Sequence, residues 1–314
     1  MTNRYIFGPV PSRRLGRSLG VDVIPSKICS LDCVYCEVGK TTELSCAREK
    51  YFKTDDIIDE FAKEYAKVKG SLDVVTVTGS GEPTLNRKLA EIARRIKEIS
   101  SHPLAILTNS TTITNPDVQA ALMHFDIIVP SLDAATDRAF QAVNRPAAEL
   151  DINEINSALA DFTHRFCGRI FLEVLLVKDI NDSKEEMAAI AEVIRKCRYD
   201  MVQVNTVFRP PAYSGTKGLS EQELIDAFLF FKDFGINVEP VGNFVKALAG
   251  GDDANLPEKI AALLRMRPCT VKDICAVFGA EEVSAVKIIE NMLESEQIEE
   301  KKFENERFYF GKAL

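Results

Sequence analysis

Residues 73–99, "DVVTVTGSGEPTLNRKLAEIARRIKEI", contain one complete pattern of strand, turn and helix. The run "DVVTVTG" is rich in β-branched residues, which favour a strand. After the turn, apolar residues recur at helical spacing and predict an amphipathic helix, at Leu89, Ile92, Ile96 and Ile99. A strand followed by such a helix is the unit from which parallel sheets are built.

The same alternation extends in both directions along the chain. β-Branched runs lie at residues 18–25, 104–109, 126–133, 169–177, 201–207 and 236–241, and segments such as residues 54–68 have helical periodicity. Six or seven such units predict an α/β fold with a full or partial barrel. The chemistry of barrels collects at the carboxyl ends of their strands, so we looked for motifs at those positions.

The pattern changes near residue 247. Residues 247–257, "ALAGGDDANLP", are rich in Gly and Asp and predict a linker. Three helical segments and a hairpin with the polar turn "ENE" follow, which is the order of elements in a winged-helix module. We therefore predict a barrel at 1–246, a linker at 247–256 and a winged-helix-like domain at 257–314.

The composition excludes several classes of protein. The 314 residues are 46% hydrophobic and 27% charged, as in ordinary globular proteins. No run approaches the roughly 20 apolar residues of a membrane span, and the N-terminus lacks a signal-peptide pattern. We expect no membrane association and a cytoplasmic location, where thiols stay reduced. The net charge of −8 disfavours general nucleic-acid binding, although a local basic patch remains an alternative.

Three cysteines lie close together after the first predicted strand, in "CSLDCVYC": Cys29, Cys33 and Cys36. A four-iron cluster takes one ligand per iron, so three cysteines leave one iron open for a substrate or cofactor. Structural zinc needs a fourth ligand, for which Cys46 is the candidate nearby in sequence. The spacing favours a cluster, and zinc remains the alternative.

This motif, with Tyr35 before the last cysteine, resembles the signature of radical S-adenosylmethionine (SAM) enzymes. The resemblance implies a partial (β/α)6 TIM-type barrel, a [4Fe–4S] cluster on the three cysteines, and SAM chelated at the open iron. It implies reductive cleavage of SAM to a 5′-deoxyadenosyl radical, which abstracts hydrogen from a substrate. It also implies a flavodoxin or ferredoxin as electron donor, and it places Tyr35 beside the adenine.

The turn "TGSGEP" (78–83) resembles the Gly-Gly-Glu-Pro turn of the same family, whose backbone meets the amino group of SAM. Ser80 makes it a variant of the motif. Gly79 and Gly81 allow close approach of the backbone, and Glu82 offers a carboxylate for a cationic amine. An ordinary turn between strand and helix is the alternative.

Other strand ends carry polar residues that fit family positions. Thr108 and Ser131 would hold the methionyl carboxylate, and Asn109 and Asp133 would lie at the barrel mouth. Helix capping is the alternative for Asp133. Glu173 interrupts an apolar strand and needs a partner there, either the ribose hydroxyls or a structural ion pair.

Four residues are weaker candidates for substrate contacts. Asn205 and Arg209 follow the sixth strand, and Arg209 suits a carboxylate or phosphate, with an ion pair as the alternative. Arg13 and Arg14 form a cationic cluster with Arg17 before the first strand. They would contact an anionic substrate or RNA, or would pack the N-terminal segment through ion pairs.

The segment "FGPVPSRRLGRSLGVDVIP", together with "GSGEPTL", "SLDAAT" and "RPPA", resembles a group related to the wyosine-forming tRNA radical enzymes. Two features depart from tRNA chemistry: no cysteine precedes Cys29 to hold a second cluster, and residues 252–314 carry 13 acidic and nine basic side chains. A small molecule, a protein and tRNA remain open as substrates.

For the C-terminal domain we expect a protein contact, homodimerisation or a lid over the substrate, and not DNA binding, because its acidic helices would repel phosphates. The alternative from another class is an iron–sulfur redox sensor that signals to a winged-helix regulatory domain.

Overall fold

The computed structural model describes residues 5–12, 15–240, 256–304 and 306–311. The strands of its main sheet are β1 Ile6–Ser12, β2 Gly16–Asp22, β5 Val74–Thr78, β6 Leu104–Thr108, β7 Ile127–Pro130, β8 Arg169–Leu176, β9 Met201–Thr206 and β10 Val238–Pro240. Two short pairs are β3 Ile28–Cys29 with β4 Glu43–Leu44, and β11 Ile298–Phe303 with β12 Glu306–Gly311. The spatial order of the main sheet is β1-β2-β5-β6-β7-β8-β9-β10.

The helices are α1 Thr54–Val68, α2 Leu89–Ile99, α3 Pro116–Leu122, α4 Asp137–Ala139, α5 Ile152–Arg165, α6 Lys184–Lys196, α7 Glu221–Asp233, α8 Leu256–Met266, α9 Val271–Phe278 and α10 Glu282–Glu294. Strands β2 to β10 of the main sheet are all parallel, with helices in the connections. The predicted α/β fold and all seven predicted strands are confirmed, and the arrangement is consistent with a partial barrel. None of the described helices is both long and apolar enough to cross a membrane.

Strand β1 was not predicted. It pairs antiparallel with β2 at the edge of the sheet and carries a bulge between Phe7 and Val10. The sequence of this segment does not predict a strand, because it contains Gly8 and two prolines, which normally interrupt strands. The Phe7 ring covers Gly20 of β2 so closely that a Cβ there would lie 2.1 Å from a ring carbon.

The two faces of the sheet have different neighbours. On the outer face, side chains such as Val75, Val77 and Ile106 pack in the main hydrophobic core with the helices. On the inner face, Val74 and Ala105 belong to a small separate apolar cluster. The alternation of side chains along each strand separates these two sets. Nearer the carboxyl ends, inner positions include the polar residues Thr78, Ser131 and Glu173, whereas Leu107 and Leu175 are apolar.

The C-terminal helices and hairpin have the predicted order of elements. Thr270 caps α9, and Gly279 ends it with φ of +65°. The buried core of this part includes Val10 of β1, so the C-terminal part packs on the edge of the main sheet. Most of the predicted linker lies outside the described residues, and the winged-helix assignment stays a prediction.

Candidate functional site

The three cysteines lie in one loop that begins at β3. The Cys29 sulfur is 3.5 Å from Asn109 Nδ2, and the Cys33 sulfur is 3.4 Å from Asn144 Nδ2. Lys27 Nζ lies 3.3 Å from the Cys36 sulfur. Each sulfur therefore has a polar nitrogen donor directed at it.

Burial disfavours the ionised form of two of these thiols, Cys29 and Cys33. Burial raises the pKa of Cys29 to about 12 and raises the pKa of Cys33 well above its ordinary value, because a buried thiolate loses its hydration. Ionised sulfurs here need cations beside them, which the irons of a cluster supply. Hydrogen bonds to the sulfurs are also typical of iron–sulfur proteins.

The zinc alternative is not supported. Among the described residues, no group of three or more His, Cys, Asp and Glu side chains could hold a metal ion. Cys46, the predicted fourth ligand, instead interacts with the carboxylate of Glu149. A cluster with one cysteine per iron is compatible with this finding, because it needs its ligand sulfurs further apart than a single ion does.

The cysteine loop is anchored from outside the sheet. Asp32 accepts hydrogen bonds from the Thr41 backbone nitrogen at 2.7 Å and from the Tyr213 hydroxyl. The charged groups of Lys40 and Arg145 lie 4.4 and 4.0 Å from the centroid of the Tyr213 ring. These contacts anchor the cysteine loop.

The Gly79–Glu82 turn follows β5 and packs tightly against the start of the cysteine loop. A Cβ at Gly81 would lie 1.9 Å from the Ile28 carbonyl oxygen, so only glycine fits there. The Ser80 hydroxyl donates to Asp22 at 2.9 Å, and the Ser80 carbonyl accepts from the Lys27 backbone nitrogen at 2.8 Å. Asp22 was not predicted. Burial raises its pKa to about 6.

The Glu82 carboxylate is hydrogen-bonded to other residues of the chain. Its side chain is buried and accepts hydrogen bonds from the backbone nitrogens of Thr84 and Asn109 and from the Thr108 hydroxyl, at 3.0, 2.8 and 2.8 Å. This geometry does not favour the predicted contact of the carboxylate with a cationic amine. The Thr108 hydroxyl is likewise directed at Glu82, whereas its neighbour Leu107 lines the cavity described below.

A second network joins Asp133 to the cysteine loop. Asp133 accepts hydrogen bonds from the Tyr35 hydroxyl, from Asn144 Nδ2 at 3.0 Å and from the Leu175 backbone nitrogen at 3.0 Å. The cap of α4 is Thr136, so capping does not explain Asp133. Asn144 was not predicted, and it contacts both Asp133 and the Cys33 sulfur.

An open cavity of about 350 Å³ lies inside the carboxyl ends of the strands. Its volume is in the range of small-ligand sites. It brings together eight of the predicted residues: Tyr35, Cys36, Gly79, Ser131, Asp133, Glu173, Asn205 and Arg209. Arg13 and Arg14 lie outside the described residues.

Four of the lining residues form two further pairs. Asn205 Nδ2 lies 3.3 Å from Glu173 Oε1, so the buried acid in β8 has a neutral partner. Arg209 lies 3.4 Å from the Glu37 carboxylate, which supports the ion-pair alternative for this residue. The cavity thus contains hydroxyl, carboxylate, amide and guanidinium groups at one end of a rigid sheet.

Three comparisons with known sequences are informative. A Helicobacter pylori protein named UPF0026 protein is 34% identical over 308 residues, which are 97% of this chain and 96% of that protein. A Brachyspira hyodysenteriae protein named GTPase Obg is also 34% identical, over 96% of this chain, but the chain spans only 44% of that protein's length. A Chlorobium phaeobacteroides protein named probable dual-specificity RNA methyltransferase RlmN is 21% identical over 63% of this chain and 58% of its own length.

Among solved structures, a radical SAM methyltransferase from Sphaerobacter thermophilus has a similar fold, with a TM-score of 0.54 and 16% identity. The similarity covers 71% of this chain and 66% of that chain. The family model of the radical SAM superfamily matches residues 23–202, which include the cysteine loop and strands β5 to β8. The chain therefore belongs to the radical SAM superfamily, whose enzymes use a [4Fe–4S] cluster and SAM.

Proposed function

We propose that Cys29, Cys33 and Cys36 hold the cluster at the mouth of the cavity and that the enzyme cleaves SAM there to act on a substrate in the same cavity. The observation that carries the proposal is the placement of the cysteine loop: every sulfur has a polar donor, and Cys36 lines the cavity. When bound, the reduced cluster supplies the electron that breaks a carbon–sulfur bond of SAM.

The chain's own groups bind and orient the cofactor in this proposal. Asp133 holds the Tyr35 ring on the cavity wall, where a flat ring can stack on the adenine. Ser131 and Glu173 present a hydroxyl and a carboxylate to the methionyl carboxylate and the ribose hydroxyls, respectively. The Gly79–Glu82 turn contributes backbone groups for the amino group, and the Glu82 side chain supports that turn.

The experiment compares Cys33→Ala with Cys167→Ala, in which an exposed cysteine outside the loop is changed. After anaerobic reconstitution, wild-type protein and Cys167→Ala should each contain about four irons per chain and form 5′-deoxyadenosine when reduced with dithionite. Cys33→Ala should lose most of both. The proposal fails if Cys33→Ala cleaves SAM at the wild-type rate.

Enzymes of this superfamily commonly take electrons from flavodoxin or ferredoxin, and we assign such a donor in the cytoplasm to this protein. We also assign residues 257–314 to the winged-helix type, supported by the order of three helices and a hairpin. The exposed side of α10 carries Glu282, Glu290 and Glu294. This acidic surface disfavours the alternative of a DNA-binding redox sensor. A homodimer through this module stays a prediction.

Modification of RNA is a second candidate function. The similarity to RlmN sequences favours it, since these relatives are named as RNA methyltransferases. The wyosine-related tRNA chemistry is a variant of the same candidate. Addition of total tRNA or ribosomal RNA to the anaerobic assay should then stimulate formation of 5′-deoxyadenosine. No stimulation by either RNA, combined with stimulation by a nucleic-acid-free cell extract, would exclude this candidate.

A further inference from the structure

The C-terminal part forms one wall of the cavity. Leu263 and Arg267, in and just after α8, line it together with Val10 of β1 and with Phe208 and Arg209 after β9. The hydrophobic contacts of Val10 with the C-terminal core hold this wall against the sheet. Any ligand at this end of the cavity therefore contacts both parts of the chain.

Arg209 is buried here with an incomplete set of partners. Its side chain is 8% exposed, and its Nη1 lies 3.4 Å from the Glu37 carboxylate. Its Nη2 is 3.9 Å from Asp273, which is too long for a hydrogen bond. Its Nε is buried and has no hydrogen-bond partner in the described part of the chain. A buried donor without a partner is costly and calls for an explanation.

Arg267 of the C-terminal part repeats this feature in the same cavity. Its Nε is also buried without a hydrogen-bond partner. Within the described ranges, no acidic side chain lies within 4.0 Å of its guanidinium. The Arg267 side chain also hydrogen-bonds the buried thiol of Cys269, and Arg267 and Arg209 line the same cavity.

The nearby acids leave the two Nε atoms unpaired. Asp273 accepts a hydrogen bond from the Thr270 backbone nitrogen at 3.0 Å as part of the α9 cap, and Glu37 interacts with Arg209 through Nη1. Deeper in the cavity, Asp133 and Glu173 accept hydrogen bonds from other protein groups. Within the described residues, the Nε donors of Arg209 and Arg267 thus remain available beside a cavity wall that is apolar at Val10, Phe208 and Leu263.

We propose that Arg209 and Arg267, here called the arginine pocket, bind a phosphate or carboxylate group of the substrate. Guanidinium groups bind such planar or tetrahedral oxyanions through paired hydrogen bonds. This inference rests on the proposed function, because it assigns the substrate to the same cavity as SAM. The C-terminal part then supplies a specificity-determining residue and is not a separate binding module.

The test uses the full-length, anaerobically reconstituted enzyme and inorganic phosphate as the probe, titrated by calorimetry in chloride buffer of constant ionic strength. Wild-type protein should bind one phosphate per chain, and Arg267→Gln should weaken that binding about tenfold or more. Arg267→Lys should restore part of it. Lys272→Gln removes one exposed cation from α9 and should bind phosphate as the wild type does. Equal phosphate affinity in the wild type and Arg267→Gln would overturn the proposal.

A second arm distinguishes the substrate anion from the methionyl carboxylate of SAM. Saturation with SAM should leave phosphate binding in place, and SAM affinity measured by equilibrium dialysis should be similar in Arg267→Gln and wild type. Competition between SAM and phosphate, with a matching loss of SAM affinity in Arg267→Gln, would instead assign the arginine pocket to the cofactor and overturn its substrate role. Phosphate binding requires no cleavage of SAM, so failure here is distinct from failure of the Cys33→Ala experiment.

Discussion

The Gly79–Glu82 turn and the arginine pocket both contain buried charged groups, but their hydrogen bonding differs. The Glu82 carboxylate accepts protein donors on both oxygens, from Thr84, Thr108 and Asn109. In the arginine pocket, the Nε atoms of Arg209 and Arg267 have no hydrogen-bond partner in the part of the chain that the structure describes. The Glu82 carboxylate therefore has its hydrogen-bond partners within the protein, whereas the arginine pocket can gain hydrogen bonds from a ligand.

The difference has an energetic basis. An unpaired buried donor costs about 1–3 kcal/mol, so a protein retains one mainly where function requires it. A satisfied carboxylate instead stabilises the backbone around it. In the proposed function, the side chains at the turn therefore support the position of the cofactor, and those of the arginine pocket are proposed to select the substrate.

The largest expected effect is at Glu82. Glu82→Ala removes the acceptor of four donor groups on Thr84, Thr108 and Asn109 and should lower the free energy of unfolding by about 3–5 kcal/mol. Urea denaturation followed by circular dichroism measures this change. Glu82→Gln keeps one acceptor oxygen and should lose less. A loss below about 1 kcal/mol for Glu82→Ala would show that the turn does not depend on this network.

The next effect is a pH dependence at Asp22. Burial raises its pKa from 3.8 to about 6 in the folded state, so the folded state holds the proton more tightly than the unfolded state. The protonated carboxyl group of Asp22 therefore stabilises the folded state fully below pH 3.8, and this stabilisation is lost as the pH rises to about 6.

Asp22→Asn removes this titration, so the stability difference between wild type and variant should shift by about 2–3 kcal/mol across that range, in the variant's favour at high pH. Urea denaturation midpoints at a series of pH values measure it. Parallel pH profiles for the two proteins would contradict the assignment of the shift to Asp22.

The smallest expected effect is at Thr270, which caps α9 in the C-terminal part. The Thr270 hydroxyl accepts a hydrogen bond from the Asp273 backbone nitrogen at 3.1 Å, and the Asp273 carboxylate accepts one from the Thr270 backbone nitrogen. Thr270→Ala should lower the free energy of unfolding by about 1 kcal/mol, and Thr270→Ser should retain most of the cap. If thermal denaturation of Thr270→Ala and Thr270→Ser were indistinguishable, the cap would not contribute to the stability of this wall.

The fold could be predicted well where burial and periodicity agree. Parallel strands are covered on both faces, so each appears in the sequence as a short β-branched run. The edge strand β1 escaped because Gly8 and Pro9 contradict strand propensity, and its antiparallel pairing with β2 depends on tertiary contacts.

Residues of the site were predictable where the spacing of residues in the sequence identifies a motif. The cysteine spacing and the polar residues at strand ends indicated the cavity wall before the structure was known. Asn144 was not predicted because it lies 111 positions from Cys33 in the sequence. Lys27 and Asp22 were not predicted because an isolated charged residue forms no recognisable sequence motif. Thr108 was correctly located at a strand end and Glu82 in the turn after a strand, but the direction of their side chains depends on packing.

By itself, the sequence determined the parallel α/β architecture, the three-cysteine loop and the radical SAM resemblance, because strand propensity and ligand spacing are local properties of the chain. Only the tertiary structure decided which polar groups are satisfied by protein partners and which lie unpaired in the cavity. It alone brought Arg267 of the C-terminal part beside the cavity with Arg209. Such contacts join residues far apart in sequence, and their energies depend on burial, which no local pattern specifies.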